Sequence, residues 1–169
     1  MIIKNVNVIP ISWDEIVRLI KNVSKSIEVD GKPDIIIAIQ RGGLIPGVIL
    51  SHILGVRELI PLSVKITIDD SIYSKKIEPI LEHNNIIEKI NGKSILVVDD
   101  IAGSGETYKR VIEYLATYMP VSIKSFICVV NRDNWDKLND DVPQKTITYI
   151  GTEVRGWIEF PWERRYIDE

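Results

Sequence analysis

The chain has 169 residues, 45% of them apolar and 27% charged, with a net charge of −3. That length holds one domain with its own core, and the slight acidity argues against a nucleic-acid or membrane-surface partner. A single cysteine, Cys128, excludes an internal disulfide framework. No apolar run approaches a membrane span and no signal-peptide pattern opens the chain, so the expectation is a cytoplasmic protein.

Helix and strand signals alternate along the chain. Ser12 and Glu15 form the pattern of a capping box, and Trp13, Ile16, Val17, Ile20, Val23 and Ile27 follow at helical spacing. Gly31 and Pro33 break that helix, and DIIIAI (34–39) reads as a strand buried on both faces. RGGLIPGVILSHILG (41–55) predicts a glycine turn, a helix and a stop at Gly55. A second strand is expected near Leu59–Ile66. The polar stretch TIDDSIYSKKIEPI (67–80) predicts a mobile loop with ragged strand character. SILVV (94–98) is the next buried strand, and Tyr108, Val111, Ile112 and Leu115 share one helical face after it. SFICVV (125–130) is another buried strand, and an edge strand is expected near Thr146–Ile150 before a Trp/Pro-rich tail. Repeats of this kind predict an α/β fold, a mainly parallel twisted sheet flanked by helices on both faces. Ligands of such sheets sit beyond the carboxyl ends of the strands, where 41–43 and 99–105 both fall.

The stretch ILVVDDIAGSGETYKRV (95–111) carries the chemistry. Asp99 and Asp100 repel each other, so folding alone gives little reason to set them at the end of a buried strand. Adjacent carboxylates suit ribose hydroxyls, which donate hydrogen bonds, or a hard cation such as Mg²⁺. The small residues of AGSGET let the backbone curl into a cradle of N–H groups at a helix start, a seat for an anion. Ser104 and Thr107 add hydroxyl donors. Carboxylates for a sugar beside amides for a phosphate describe a ribose 5-phosphate site.

VVDDIAGSGET (97–107) resembles the 5-phosphoribosyl 1-diphosphate (PRPP) motif of the type I phosphoribosyltransferases. IQRGGLIPGVILSHILGVRE (39–58) and GWIEFPWE (156–163) are similar to two further segments of the xanthine-guanine and other 6-oxopurine members, in the same order. The resemblance implies one domain over residues 1–169, with 131–169 forming a small nucleobase-binding hood. It implies a cytoplasmic purine salvage transferase that moves phosphoribosyl from PRPP to hypoxanthine, guanine or xanthine with Mg²⁺, yielding a nucleoside monophosphate and diphosphate. The family is usually dimeric, so a homo-oligomer, dimer or tetramer, is expected.

Residue by residue, the resemblance implies that Asp99 and Asp100 bind the ribose hydroxyls and assist Mg²⁺, with Arg41 the third catalytic group. Ala102, Gly103, Ser104, Gly105, Glu106 and Thr107 would hold the 5-phosphate. Arg41, Gly42 and Gly43, with Lys65, would hold diphosphate, and the family's cis peptide in that turn would fall at Arg41–Gly42. Lys75 and Lys76 are further cations of the loop. Trp157 would stack on the base, the Ile158 backbone would bond its edge, and Asn131 would reach its oxo group, while Trp162 packs the chain end. Two positions depart from the family's pattern. Gly103 stands where the purine enzymes carry an Asp that handles the N7 proton, and Asn131 stands where they carry a Lys. These departures leave open another base, adenine or a pyrimidine, and a non-catalytic sensor of PRPP or nucleotide. A Rossmann dinucleotide site is disfavoured, because here the acids precede the glycines.

Overall fold

The structure, a computed structural model, describes residues 8–69, 74–80 and 89–164, with 65–69 and 74–80 described through their backbone alone. Its central strand is β2 (Ile35–Ile39), five residues that are all buried. Such an apolar run is stable only with neighbours on both edges and layers on both faces. It has both: β3 (Glu58–Asp69) pairs with it on one side and β5 (Ser94–Ala102) on the other, each parallel. β6 (Ser122–Asn131) and β7 (Tyr149–Val154) extend the sheet in parallel beyond β5, and β4 (Ser74–Ile80) closes the opposite edge antiparallel to β3. The order is β4-β3-β2-β5-β6-β7.

Because side chains alternate along a strand, β2 and β5 feed two cores. Ile36, Leu96 and Val98 face α1 (Trp13–Asp30) and α2 (Leu44–Leu54), which contribute Ile16, Ile20, Ile27, Leu50 and Leu54. Ile35, Ile37, Ile95 and Val97 face the other way, onto Val111 and Leu115 of α3 (Glu106–Ala116). A third, smaller cluster surrounds the fully buried Trp135 of α4 (Arg132–Leu138), with Ala102, Tyr108, Ile127 and Val130. The fold class expected from the sequence is the one observed.

Several boundaries differ, for physical reasons. The segment read as a loop over 67–80 is largely strand: β3 runs on to Asp69 and pairs with β4 from Ser63↔Ile80 to Asp69↔Ser74. In β3 the apolar alternation of Val64, Ile66 and Ile68 does run on past the expected end, but the SKKIEPI of β4 keeps no period of two and so does not announce a strand. Lys65, Lys75 and Lys76 lie in this ribbon, outside the residues whose side chains are described. The last strand of the large sheet spans Tyr149–Val154, displaced from the expected 146–150. α4 was not expected at all. Its seven residues are too few for a helical period, and its signal is the Asn131 cap, whose side chain accepts from the Asn134 N–H at 3.2 Å. In the tail, β8 (Trp157–Glu159) pairs in parallel with β1 (Val8–Pro10), and Ile158 and Phe160 join the α1/α2 core. This ties the last described segment to the start of the chain. Among the described residues no helix is long and apolar enough to cross a membrane.

The capping box of α1 forms as its sequence predicts: Ser12 N–H donates to Glu15 Oε2 at 2.8 Å and Glu15 N–H donates to Ser12 Oγ at 3.2 Å. Ser12→Ala removes one acceptor from the first turn and should lower stability by about 1 kcal/mol. Urea denaturation should report a lower midpoint with an unchanged slope, and activity should be that of the parent.

Candidate active site

β5 carries its buried apolar run straight into Asp99 and Asp100, whose carboxyls line two different cavities. Asp99 continues the row of Ile95 and Val97 and lines a cavity of about 460 Å³ with Ala102, Gly103, Ser104, Gly105 and Thr107. Asp100 continues the row of Leu96 and Val98 and lines a second cavity of about 510 Å³ with Arg41, Gly42, Ile45, Trp162 and Glu163. The acidic pair is therefore the partition between two cavities at the carboxyl edge of the sheet.

The backbone curls around the pair. Asp100 N–H donates to Asp99 Oδ1 and Ile101 N–H donates to Asp100 Oδ1, both at 2.9 Å. These bonds do not offset burial and mutual repulsion. Burial, then the charge of Asp100, pushes the Asp99 carboxyl well above the usual carboxylate range. Burial also raises Asp100, with the Glu163 charge adding to the effect. The same burial and the two nearby carboxylates push the Cys128 thiol far up, so it is an inert core group.

The glycines of the turn before α2 are required by this pair. A Cβ on Gly42 would sit 1.8 Å from Asp100 Oδ2, and one on Gly43 would sit 2.5 Å from the Ile39 carbonyl and 2.7 Å from that of Val98. The turn thus presses its bare backbone onto the ends of β2 and β5. Its carbonyls at Arg41 and Gly42 accept from the N–H groups of Leu44 and Ile45, each at 3.2 Å, while the amides of Gly42 and Gly43 have no acceptor among the described residues. The cis peptide bond of this turn joins Gln40 to Arg41, one bond earlier than Arg41–Gly42.

The second turn, Gly103–Gly105, opens α3. Gly105 has φ 73°, and no side chain caps the helix; the Glu106 N–H donates to Ser104 Oγ at 3.3 Å. A Cβ on Gly105 would meet the Trp135 ring at 2.5 Å, so α4 is seated directly beneath the turn. Asn139, just after α4, donates through Nδ2 to the Ser104 carbonyl at 2.9 Å. At Gly103 the space is open: a Cβ there would touch only Asn134, at 3.6 Å.

The remaining residues singled out from the sequence lie nearer the tail. Asn131 is buried, and both ends of its carboxamide are engaged, Oδ1 by the Asn134 N–H and Nδ2 with the Gly156 carbonyl at 2.9 Å. Trp157 is 64% exposed and Ile158 is buried in β8. Trp162 stacks on Phe160 with centroids 4.6 Å apart, but it also walls the Asp100 cavity, which its reading as packing alone did not foresee. Sequence reasoning also missed Glu163 at that cavity and Asn134, Lys137 and Leu138 at the Asp99 cavity. The spacing Asn134, Lys137, Leu138 is one face of a helix, a signal legible only once α4 is known.

The chain matches the family described as phosphoribosyl transferase domain over residues 3–167. It belongs to that family. Among solved structures it is similar to a purine phosphoribosyltransferase from Pyrococcus horikoshii, 29% identical with a TM-score of 0.74, over 96% of this chain and 98% of that one. It is also similar to a hypothetical protein from Neisseria gonorrhoeae with bound ppGpp, 24% identical with a TM-score of 0.79 over 98% and 94% of the two chains. A hypoxanthine-guanine phosphoribosyltransferase from Bacillus anthracis shares the fold at 20% identity, with a TM-score of 0.61 over 91% and 84%. The protein is thus a phosphoribosyltransferase with the type I fold.

The family's metal is Mg²⁺, and the acidic pair fits it. Two desolvated, mutually repelling carboxylates are relieved by a hard divalent ion. Among the described residues no cluster of three or more His, Cys, Asp or Glu forms a complete cage. An ion here would complete its shell with water and substrate oxygens, which is the usual habit of Mg²⁺.

The raised carboxyl values have a stability consequence. A group whose folded pKa lies above its unfolded value stabilises the fold fully below the unfolded value, and that contribution is lost as pH rises through the folded one. Asp99→Asn should therefore melt higher than the parent at pH 7 in Mg²⁺-free buffer, with the gap closing as pH falls toward about 4. Calorimetry across that range checks it; a gap that does not change with pH would mean that repulsion and burial of charge are not its cause.

Proposed function

We propose that this phosphoribosyltransferase is a purine salvage enzyme of the cytoplasm, transferring phosphoribosyl from PRPP to a 6-oxopurine and releasing diphosphate, dependent on Mg²⁺. The observation that carries the reading is the acidic pair set between two cavities, one walled by an amide-rich turn at a helix start and the other by Arg41 and the bare-backbone turn at 42–43. That is the division PRPP requires, a sugar held between its 5-phosphate and its diphosphate. The purine assignment is supported by the Pyrococcus horikoshii relative.

Asp99 and Asp100 accept hydrogen bonds from the ribose 2- and 3-hydroxyls, and their negative charge faces the positive charge that develops at C1. The Asp99 cavity takes the 5-phosphate on the amides and hydroxyls of 102–107. Arg41 and the amides of Gly42 and Gly43 take the diphosphate, stabilising it as it leaves. Lys65 and its neighbours in the β3–β4 ribbon are further cations for that group. Magnesium, when bound at the acidic pair, would screen the diphosphate charge and make it a better leaving group. Residues 131–169 form the base side: Trp157 stacks on the purine, the Ile158 backbone bonds its edge, and Asn131 orients this segment through Gly156.

Gly103 offers no proton acceptor, so the base loses its proton to water or reacts already ionised. General acid–base help is typically worth about 10²–10⁴-fold, so its absence slows the enzyme without silencing it. The same glycine gives a sensor that binds PRPP without turnover its one foothold.

Diphosphate release should appear with PRPP and at least one of hypoxanthine, guanine and xanthine, and the acid limb of kcat/KM against pH should move with the pKa of the base supplied. PRPP binding with no release for any nucleobase favours the sensor; a limb common to all three bases would instead implicate an enzyme carboxylate, with Glu106 the first to replace by Gln.

Trp157→Ala should raise KM for the base about tenfold while leaving KM for PRPP nearly unchanged, because stacking on one base is worth on the order of 1–3 kcal/mol. Steady-state kinetics in both substrates check it, and equal rises would make Trp157 a packing residue.

A further inference from the structure

The cavity beside Asp99 has a second wall that does not belong to the Gly103–Gly105 turn. Asn134, Lys137 and Leu138 of α4 line it, three residues on one helical face. Resting on the reading of this cavity as the 5-phosphate seat, we propose that Lys137 is the cation that binds the 5-phosphate of PRPP, supplied from α4 because the turn itself supplies none.

The charge balance of the cavity requires such a group. A phosphate monoester carries about −1.5 to −2 at pH 7. Asp99 lies on the same cavity. Between Ile101 and Tyr108 there is no Lys or Arg. Amides and hydroxyls alone would thus hold a dianion next to the Asp99 carboxyl. The next cation along the chain, Lys109, donates to Asn139 Oδ1 at 3.0 Å.

The other cations near α4 are committed. Arg132 pairs with Asp136 at 2.8 Å and Glu153 at 2.7 Å, Arg155 with Asp136 at 2.6 Å and Asp133 at 3.2 Å, and Lys145 with Asp141 at 2.5 Å. Lys137 has no ion pair and no hydrogen bond among the described residues, and it is the one Lys or Arg on the cavity wall. Its position relative to the turn is fixed from both sides in sequence. Two residues before it, Trp135 is buried against Gly105, and two residues after it, Asn139 holds the Ser104 carbonyl. The flexible part is therefore only the side chain itself, a four-carbon stem that can close onto an anion without moving the backbone.

Lys137→Met removes the charge and keeps most of the stem, and Lys137→Arg restores the charge. Since α4 holds Lys137 exposed, both variants should melt like the parent. Calorimetric titration with ribose 5-phosphate should show Kd about ten- to hundredfold weaker for Lys137→Met, the range for loss of one charged hydrogen bond, and within about threefold of the parent for Lys137→Arg. KM for PRPP should rise with it while KM for the base stays put. Unchanged ribose 5-phosphate affinity in Lys137→Met, a rise in both KM values alike, or failure of Lys137→Arg to restore binding would each overturn the assignment to Lys137. A parent protein that binds neither ribose 5-phosphate nor PRPP would overturn the phosphoribosyl reading of the cavity itself, and the two failures are distinguishable in the same titrations.

Discussion

Two like charges sit side by side where the most buried part of the sheet reaches its carboxyl edge, and much of the surrounding structure is shaped by the need to keep them there. β5 pairs with β2 from Ile95 to Val98 and with β6 from Ser94 to Ala102, so Asp99 and Asp100 cannot swing away into solvent without breaking the ladder to β6. The turn at 42–43 must approach as bare backbone, because any side chain at Gly42 would occupy the space of the Asp100 carboxylate. Burial raises both carboxyls, and an unfilled site is thus less stable than the same fold would be without them. A cation or a row of sugar hydroxyls removes that disadvantage, which is a physical reason for the pair to bind such partners tightly.

The second organising element is a helix of seven residues. α4 has too few hydrogen bonds to be stable alone, and it is held by contacts from four directions. Asn131 caps it and reaches the Gly156 carbonyl, Trp135 fills the space under Gly105 and donates from Nε1 to the Asp141 carbonyl at 2.7 Å, and Arg132 and Arg155 join it to Glu153 and to its own acids. The turn at 103–105 and the segment leading to Trp157 are therefore positioned by one shared support. A surface ion pair contributes little by itself, but Arg132 and Glu153 are each about three-quarters covered and belong to a network, so their contribution is to orientation.

How much of this could be read from residues alone depended on whether the signal was local. β2, β5 and β6 are apolar runs with no competing reading, and the capping box at Ser12 fixes the start of α1; all four were legible. The acidic pair and the glycine turns were legible as chemistry, since few folds give a reason to write DD followed by G-x-G. What was not legible came from distance in sequence. The division of Asp99 and Asp100 between two cavities depends on which turns and helices close over the end of β5, which the motif itself does not say. Trp162 and Glu163 reach the Asp100 cavity because β8 pairs with β1, a contact spanning most of the chain. The β3–β4 ribbon escaped because only its β3 half alternates, at Val64, Ile66 and Ile68, while the SKKIEPI of β4 keeps no period of two, and α4 escaped because seven residues hold fewer than two turns' worth of periodicity.

Gly42 and Gly103 are both turn glycines at the edge of this site, but the space around them is opposite. At Gly42 a single added carbon collides with Asp100, whereas at Gly103 the same carbon finds only ordinary contact with Asn134. Mutation can therefore explore one side of this site and not the other. A lineage could gain or lose a side chain at position 103 in one step, with the fold indifferent to the change, while the turn facing Asp100 is held to glycine by geometry. Descendants of such a protein would be expected to diverge in what they do with a proton long before they diverge in how they grip their charged substrate.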